Sequence, residues 1–179
     1  METFEFTVIA TGLDPKADDF EGRFFDAGCD DAMVSFQKGH ILVDFARTAE
    51  SIEAAIVSAV ENVKAAGATV EHVEPDPLVS LADMAKRANL SRSAMSNYFK
   101  GDRGEGFPAP RARVTTESPL WDWAETSAWL YRHKRVSRTV AVNAMVVSEA
   151  NDVIDCCEAD FASALHDRVQ ARMPDLVIA

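Results

Sequence analysis

Cysteine is scarce in this chain: Cys29, Cys156 and Cys157 are the only three in 179 residues. The number is odd, two are adjacent, and no Cys-x-x-Cys or histidine spacing accompanies them. A disulfide framework and a zinc ligand set therefore have no basis, and the cysteines read as reduced thiols, with Cys156 or Cys157 the one place for a redox handle. The four histidines, His40, His72, His133 and His166, are scattered. No apolar run reaches eighteen residues, and the opening METFEF lacks a basic stretch followed by an apolar one. Neither a membrane span nor a signal peptide is expected, so the location expected is cytoplasmic, without a membrane partner. Also missing are a GxGxxG turn, a P-loop and a GxSxG elbow, so an enzymatic reading has no motif to rest on and no cofactor is implied. The acidic pairs Asp18-Asp19 and Asp30-Asp31 read as surface charge rather than as metal ligands, and no metal is expected.

Positive charge is in short supply too. Eighteen Lys and Arg stand against 29 Asp and Glu, for a net charge of −11, which at face value repels nucleic acid. The distribution along the chain points the other way. Met1 to Leu78 carries a net −11, Val79 to Val136 a net +4, and Ser137 to Ala179 a net −4. One segment alone is basic, and asymmetry of this kind points to nucleic acid.

What is present begins with an α+β pattern. Phe4 to Ala10 alternates as a strand, with Phe4, Phe6 and Val8 on one face, and Ala17 to Ala27 reads as a helix ended by Gly28. Asp31 to Gln37 and His40 to Phe45 read as strands around a Lys38-Gly39 hairpin turn. Ala49 to Ala66 is a long amphipathic helix through Ile52, Ala55, Ile56, Ala59, Val60 and Val63, and Thr69 to Val73 is a last strand. The order βαββαβ predicts a ferredoxin-like domain over residues 1–74, which by itself decides no function. The stiff connector Pro75-Asp76-Pro77 marks a linker over 75–77.

From 78 to 136 the pattern is that of a winged helix-turn-helix domain. Ser80 caps a helix with Leu81, Met84, Ala85 and Ala88 apolar, and Asn89 suits a left-handed turn. Leu90 plugs the corner, and Ser91 caps a second helix that turns Ala94, Met95, Tyr98 and Phe99 inward. Such a pair lays its second helix in the major groove of DNA. After the glycine- and proline-rich stretch from Gly101 to Pro110, ARVTT and SPLW are expected to form the two strands of a wing. Trp121 or Asp122 then opens a helix with Trp123, Ser127 and Leu130 on one side, and Trp121, Trp123 and Trp129 read as core rather than as stacking platforms. Residues 137–179 are predominantly helical, through Val142, Met145, Val146, Val153, Ile154, Phe161, Leu165 and Val169, and are expected to serve oligomerisation or interaction.

The outer face of the second helix carries the residues able to read bases. Arg92 can bond guanine O6 and N7, Asn97 can bond adenine, and Ser93 and Ser96 can contact bases or phosphate. Lys100 and Arg103 are placed to reach the backbone. Arg111 and Arg113, two apart on the expected wing strand, would point together toward a minor groove or phosphates, and Lys86 and Arg87 can touch backbone. For any one of these the alternative is an ordinary solvated face.

The phrases AxxAxLSRSAMSNYFKG, FPAP and PLWDWAETSAWL, in that order between Leu81 and Leu130, resemble the winged helix-turn-helix proteins related to AlpA, the excisionases and the DNA-binding end of MerR regulators. The resemblance covers about fifty residues. It implies base reading by Arg92, Ser93 and Asn97 and wing contacts by Arg111 and Arg113. Asn89 stands where that family often has glycine, and the acidic N-terminal domain has no counterpart in the small excisionase-like proteins. The function expected is a sequence-specific double-stranded-DNA-binding transcriptional regulator, a repressor acting as a homodimer. One alternative is an antitoxin-like inhibitor whose acidic domain binds a basic protein while the helix-turn-helix autoregulates its operon. Another is a ligand-sensing regulator, although no ligand chemistry is visible in the residues.

Overall fold

The computed structural model describes residues 1–101, 104–156 and 160–176. The fold is α+β: an antiparallel four-stranded sheet with helices, then a helical region with a small hairpin. Two compact units share the chain. Met1–Pro75 groups with Glu149–Arg168, and Asp76–Ser148 groups with the residues from Val169 onward.

In the first unit, β1 (Glu2–Thr11), α1 (Phe20–Asp26), β2 (Ala32–Gln37), β3 (His40–Ala49), α2 (Ile52–Ala65) and β4 (Thr69–Glu74) follow one another. The strands lie in the order β2-β3-β1-β4, every pair antiparallel. Phe4, Phe6 and Val8 face one side as the alternation predicts, with Ile41, Val43 and Phe45 on β3 beside them. The apolar stripe of α2, from Ile52 to Val63, is buried against this side.

Three expectations for this unit need correction. The helix expected from Ala49 starts at Ile52, because β3 runs on through Ala49 and Ser51 caps the helix by accepting the Ala54 amide. The helix expected from Ala17 starts only at Phe20, because Asp14 accepts the Lys16 amide and tight turns at Ala17 and Phe20 occupy the segment. Ile9 and Ala10 are buried beside Val8 where strict alternation would expose Ile9. There the register of β1 against β4 slips, so that Ile9 faces His72 while Ala10 faces Val70. Glu71 is the extra residue, a bulge that brings Val70 and Val73, three apart, to the buried side. Lys38 and Gly39 both take positive φ, 53° and 91°, as a type I′ hairpin turn requires.

The second unit contains β5 (Leu78–Val79), α3 (Leu81–Arg87), α4 (Arg92–Phe99), β6 (Trp121–Asp122) and α5 (Trp123–Arg132). Its core gathers Val79, Met84, Ala85, Met95, Tyr98, Trp121, Trp123, Trp129 and Leu130, so the three tryptophans are core residues. The two-stranded wing over ARVTT and SPLW does not form. Ala112 and Leu120 make one isolated bridge, and the chain leaves the extended conformation at Arg113, whose φ is 52°. The strand that pairs after it is β6, with β5 as its partner.

The C-terminal helices are α6 (Arg138–Asp155) and α7 (Phe161–Arg172), with a 3-10 turn over Met173–Leu176. They do not stand as a module of their own: residues 149–168 group with the sheet and the rest with α3 to α5. Two helices alone enclose too little apolar surface for a separate core.

Candidate nucleic-acid interface

The α3–α4 pair is built by local chemistry. Ser80 and Asp83 form a capping box: the Asp83 amide donates to Ser80 Oγ at 3.2 Å, and the Ser80 amide donates to the Asp83 carboxylate at 3.0 Å. Hydrogen bonds from the Ser80 hydroxyl and amide hold the Asp83 carboxyl below its ordinary range. At the far end Asn89 takes φ 52°, and the Leu90 amide reaches back to the Ala85 carbonyl at 2.8 Å. This is the left-handed stop that Asn tolerates where glycine is commoner. Ser91 then caps α4, accepting the Ala94 amide at 3.1 Å.

At 100° per residue, Arg92, Ser93, Ser96, Asn97 and Lys100 fall within one arc of about 140°. Ala94, Met95, Tyr98 and Phe99 occupy the opposite arc. Met95 and Tyr98 are buried. Tyr98 meets Trp129 edge-on at 5.2 Å and stacks on Phe107 at 6.4 Å. Phe99 is half exposed, yet its ring meets Trp121 at 5.0 Å. The apolar arc therefore sets the rotation of α4 and leaves the polar arc outward. Arg92, Ser93 and Lys100 are exposed, and Ser96 and Asn97 are partly so. Ser93 Oγ lies 3.0 Å from Ser91 Oγ, so the cap and one arc residue share a hydrogen bond.

The other expected contacts are not brought to this arc in one group. Arg111 lies at the foot of α5, 3.4 Å from Asp122 and 3.3 Å from Glu125. Arg113 sits at the turn of the loop closed by Ala112 and Leu120, where its carbonyl accepts the Thr116 hydroxyl at 2.9 Å. The two arginines do not share a strand face, because the strand ends between them. Arg87 donates to the Asp76 carbonyl at 2.8 Å and lies over the Trp123 ring at 5.8 Å, so it serves the domain's own packing. Lys86 is exposed. Arg103 falls outside the described residues.

One basic group carries no motif that would mark it in the sequence. Arg132, Lys134 and Arg135 are exposed at the end of α5, and among the described residues none has a carboxylate partner. The run Tyr131-Arg132-His133-Lys134-Arg135 is its only local signal. Gly104 belongs near it: a Cβ there would stand 2.8 Å from the Trp129 ring, so the backbone at Gly104 lies directly on α5.

In the first unit one member of each adjacent acidic pair has a structural partner. Asp19 pairs with Arg23 at 2.8 Å, and Asp31 holds Arg47 at 2.8 Å. Hydrogen bonds from Arg47 keep the Asp31 carboxyl below its ordinary range, and burial pushes the Cys29 thiol up to about 11. Among the described residues no group of three or more His, Cys, Asp or Glu gathers as a metal site. No helix among them is long and apolar enough to cross a membrane. No protein-family model, curated protein or solved structure matches this chain.

Proposed function

We propose that this protein is a sequence-specific double-stranded-DNA-binding transcriptional regulator, a repressor acting as a dimer, in which α3 and α4 form a helix-turn-helix. The observation that carries this reading is the division of α4. One arc is locked into an aromatic core, and the other presents Arg92, Ser93, Ser96, Asn97 and Lys100. Arginine and asparagine are the side chains that read guanine and adenine bidentately. In this reading α4 enters the major groove, and the loop from Ala112 to Leu120 acts as a reduced wing. Arg113 reaches backbone from that loop, and Arg111 ties the loop's foot to α5. The net positive charge between Val79 and Val136 and the likeness to the AlpA, excisionase and MerR group support it. The βαββαβ order and the strand sequence β2-β3-β1-β4 support a ferredoxin-like reading of the first unit, in a cytoplasmic protein.

The test is titration of the whole protein onto DNA from its own promoter and onto random DNA, across salt. Specific binding with a steep salt slope is expected. Arg92→Ala and Asn97→Ala should each cost about 1–3 kcal/mol of discrimination between sites. Lys100→Ala should weaken all sequences alike and reduce the salt slope by about one. Equal binding to both DNAs at every salt concentration would sink the reading.

One feature favours a second reading, an antitoxin-like inhibitor with a basic protein partner. The side of the sheet away from Phe6 and Val8 carries Glu5, Thr7, Asp44 and Glu74 around one shallow depression. Such a surface attracts a basic partner through charge complementarity. Co-purification of the whole protein with a basic product of its own operon would favour this reading. Loss of that product in Asp44→Lys, with DNA binding unchanged, would place it on this face.

A further inference from the structure

The two edges of the four-stranded sheet are treated differently. At β4, both outward groups of Val73 are met by one side chain. Its amide donates to Asn151 Oδ1 at 2.7 Å, and its carbonyl accepts Asn151 Nδ2 at 2.9 Å. At Val73 that edge is closed. At β2 nothing equivalent occurs among the described residues. Gln37 faces His40 across the two-residue turn, so Gln37, Ser35 and Met33 bond to β3, and Val34 and Phe36 turn their N–H and C=O groups outward. Edge strands are normally blunted by charge, proline or a bulge. The six residues AMVSFQ contain no charge and no proline, and their pairing with β3 runs without a break.

Large apolar side chains flank this bare edge. Phe25 of α1 is 66% exposed, Met33 69% and Phe36 47%. Phe25, Met33 and Val34 line one open hollow beside the strand. The ends of the strand carry opposite charges, Asp30 before it and Lys38 after it. Both are exposed, and among the described residues neither has an ion-pair partner.

We infer that β2 is the dimer surface of this protein, pairing antiparallel with β2 of a second copy across a two-fold axis at Val34. An antiparallel pair of identical strands is self-complementary, as a two-fold interface requires. With Val34 on the axis, the outward N–H and C=O of each Val34 bond to the other. Phe36 then falls beside the partner's Ala32 and Met33 beside the partner's Ser35, a large side chain against a small one in each case. Asp30 falls opposite the partner's Lys38, twice by symmetry. Such charge pairing favours a second copy of this chain over an acidic or a basic protein, since the edge itself offers neither sign in excess. Two four-stranded sheets become one of eight strands, and the bare edges vanish. This surface lies outside the α4 arc and is tested without DNA, so it and the DNA reading can fail separately.

The test is sedimentation of the intact protein at micromolar concentration in the absence of DNA, with circular dichroism to verify the fold. Wild type should sediment at twice the 19.6 kDa protomer mass. Val34→Pro deletes an outward N–H without touching the ladder to β3, and should give a folded monomer. Met33→Lys changes a solvent-facing side chain of the free protomer, should also give a monomer, and decides the matter if Val34→Pro fails to fold. Lys38→Asp should weaken association about tenfold through like-charge opposition, and adding Asp30→Lys should restore it. A monomeric wild type would overturn the proposal. So would a dimer indifferent to Met33→Lys, or a Lys38→Asp defect that Asp30→Lys leaves in place.

Discussion

In the first unit, Val73 finds its partner in Asn151, 78 residues further along the chain. There too Arg47 directs all five of its N–H donors to Asp31, Ser58, Asn62 and the Gly28 carbonyl, at 2.8 to 3.1 Å. In the second unit, Ser80, Ser91 and Asp122 each accept an amide three residues on. Both units satisfy their polar groups: among the described residues no buried side-chain nitrogen or oxygen lacks a partner. Among these groups the difference is range. Groups that pair at long range are worth little until the whole unit is assembled, and losing one of them strands several others. A cap acts within one turn, and losing it frays one helix end.

That contrast can be broken first at Arg47. Arg47→Ala leaves the Asp31 carboxylate and the Asn62 Oδ1 without their donor. It should cost on the order of 3 kcal/mol by urea unfolding, the low end for a buried pair, because Asp31 keeps 31% of its side-chain surface. Asn151→Ala should follow at about 1–3 kcal/mol, since it leaves both outward groups of Val73 unpaired beside an apolar core. A loss below about half a kcal/mol in either variant, the scatter of an ordinary surface substitution, would remove the long-range side of the comparison. On the local side, Ser80→Ala and Ser91→Ala should each cost about 1 kcal/mol, and the losses should add only where the two caps act separately.

The smallest effect is that of pH. The folded-state pKa of Asp83 is lowered, so its contribution is fully present above the unfolded value near 3.9 and disappears as pH falls through the depressed folded value. Asp31 obeys the same sign through Arg47. Urea midpoints measured from neutral pH down through that window should fall, and Asp83→Asn should flatten part of the decline. A decline identical in wild type and variant would show that the capping box has no part in it.

The same contrast explains what can be read in the sequence. Ser80, Asn89 and Ser91 announce the boundaries of α3 and α4 because each acts on neighbours within one turn. The Lys38-Gly39 turn and the stripe of α2 are legible for the same reason. The Glu71 bulge is not, since it arises from the register of two strands about sixty residues apart in the chain. Nor is the role of Arg47, whose five bonds reach two separate segments, the loop before β2 and the helix α2. The arc on α4 is legible residue by residue, from helical spacing alone. Arg111 departs from its expected place because the extended stretch goes no further than the bridge at Ala112 and Arg113 turns left-handed, and no local signal marks that position.

Asn151 also sets an order of events at the ribosome. The outer edge of β4 is complete once Glu74 has been made, but the side chain that closes it follows 78 residues behind Val73. At 5–20 residues per second that interval is about 4 to 16 s. Throughout it, a nascent chain carries a finished strand with an open edge, the kind of surface that holdase chaperones cover. A fragment ending at the linker would keep that edge open permanently and should be insoluble where the full chain is not.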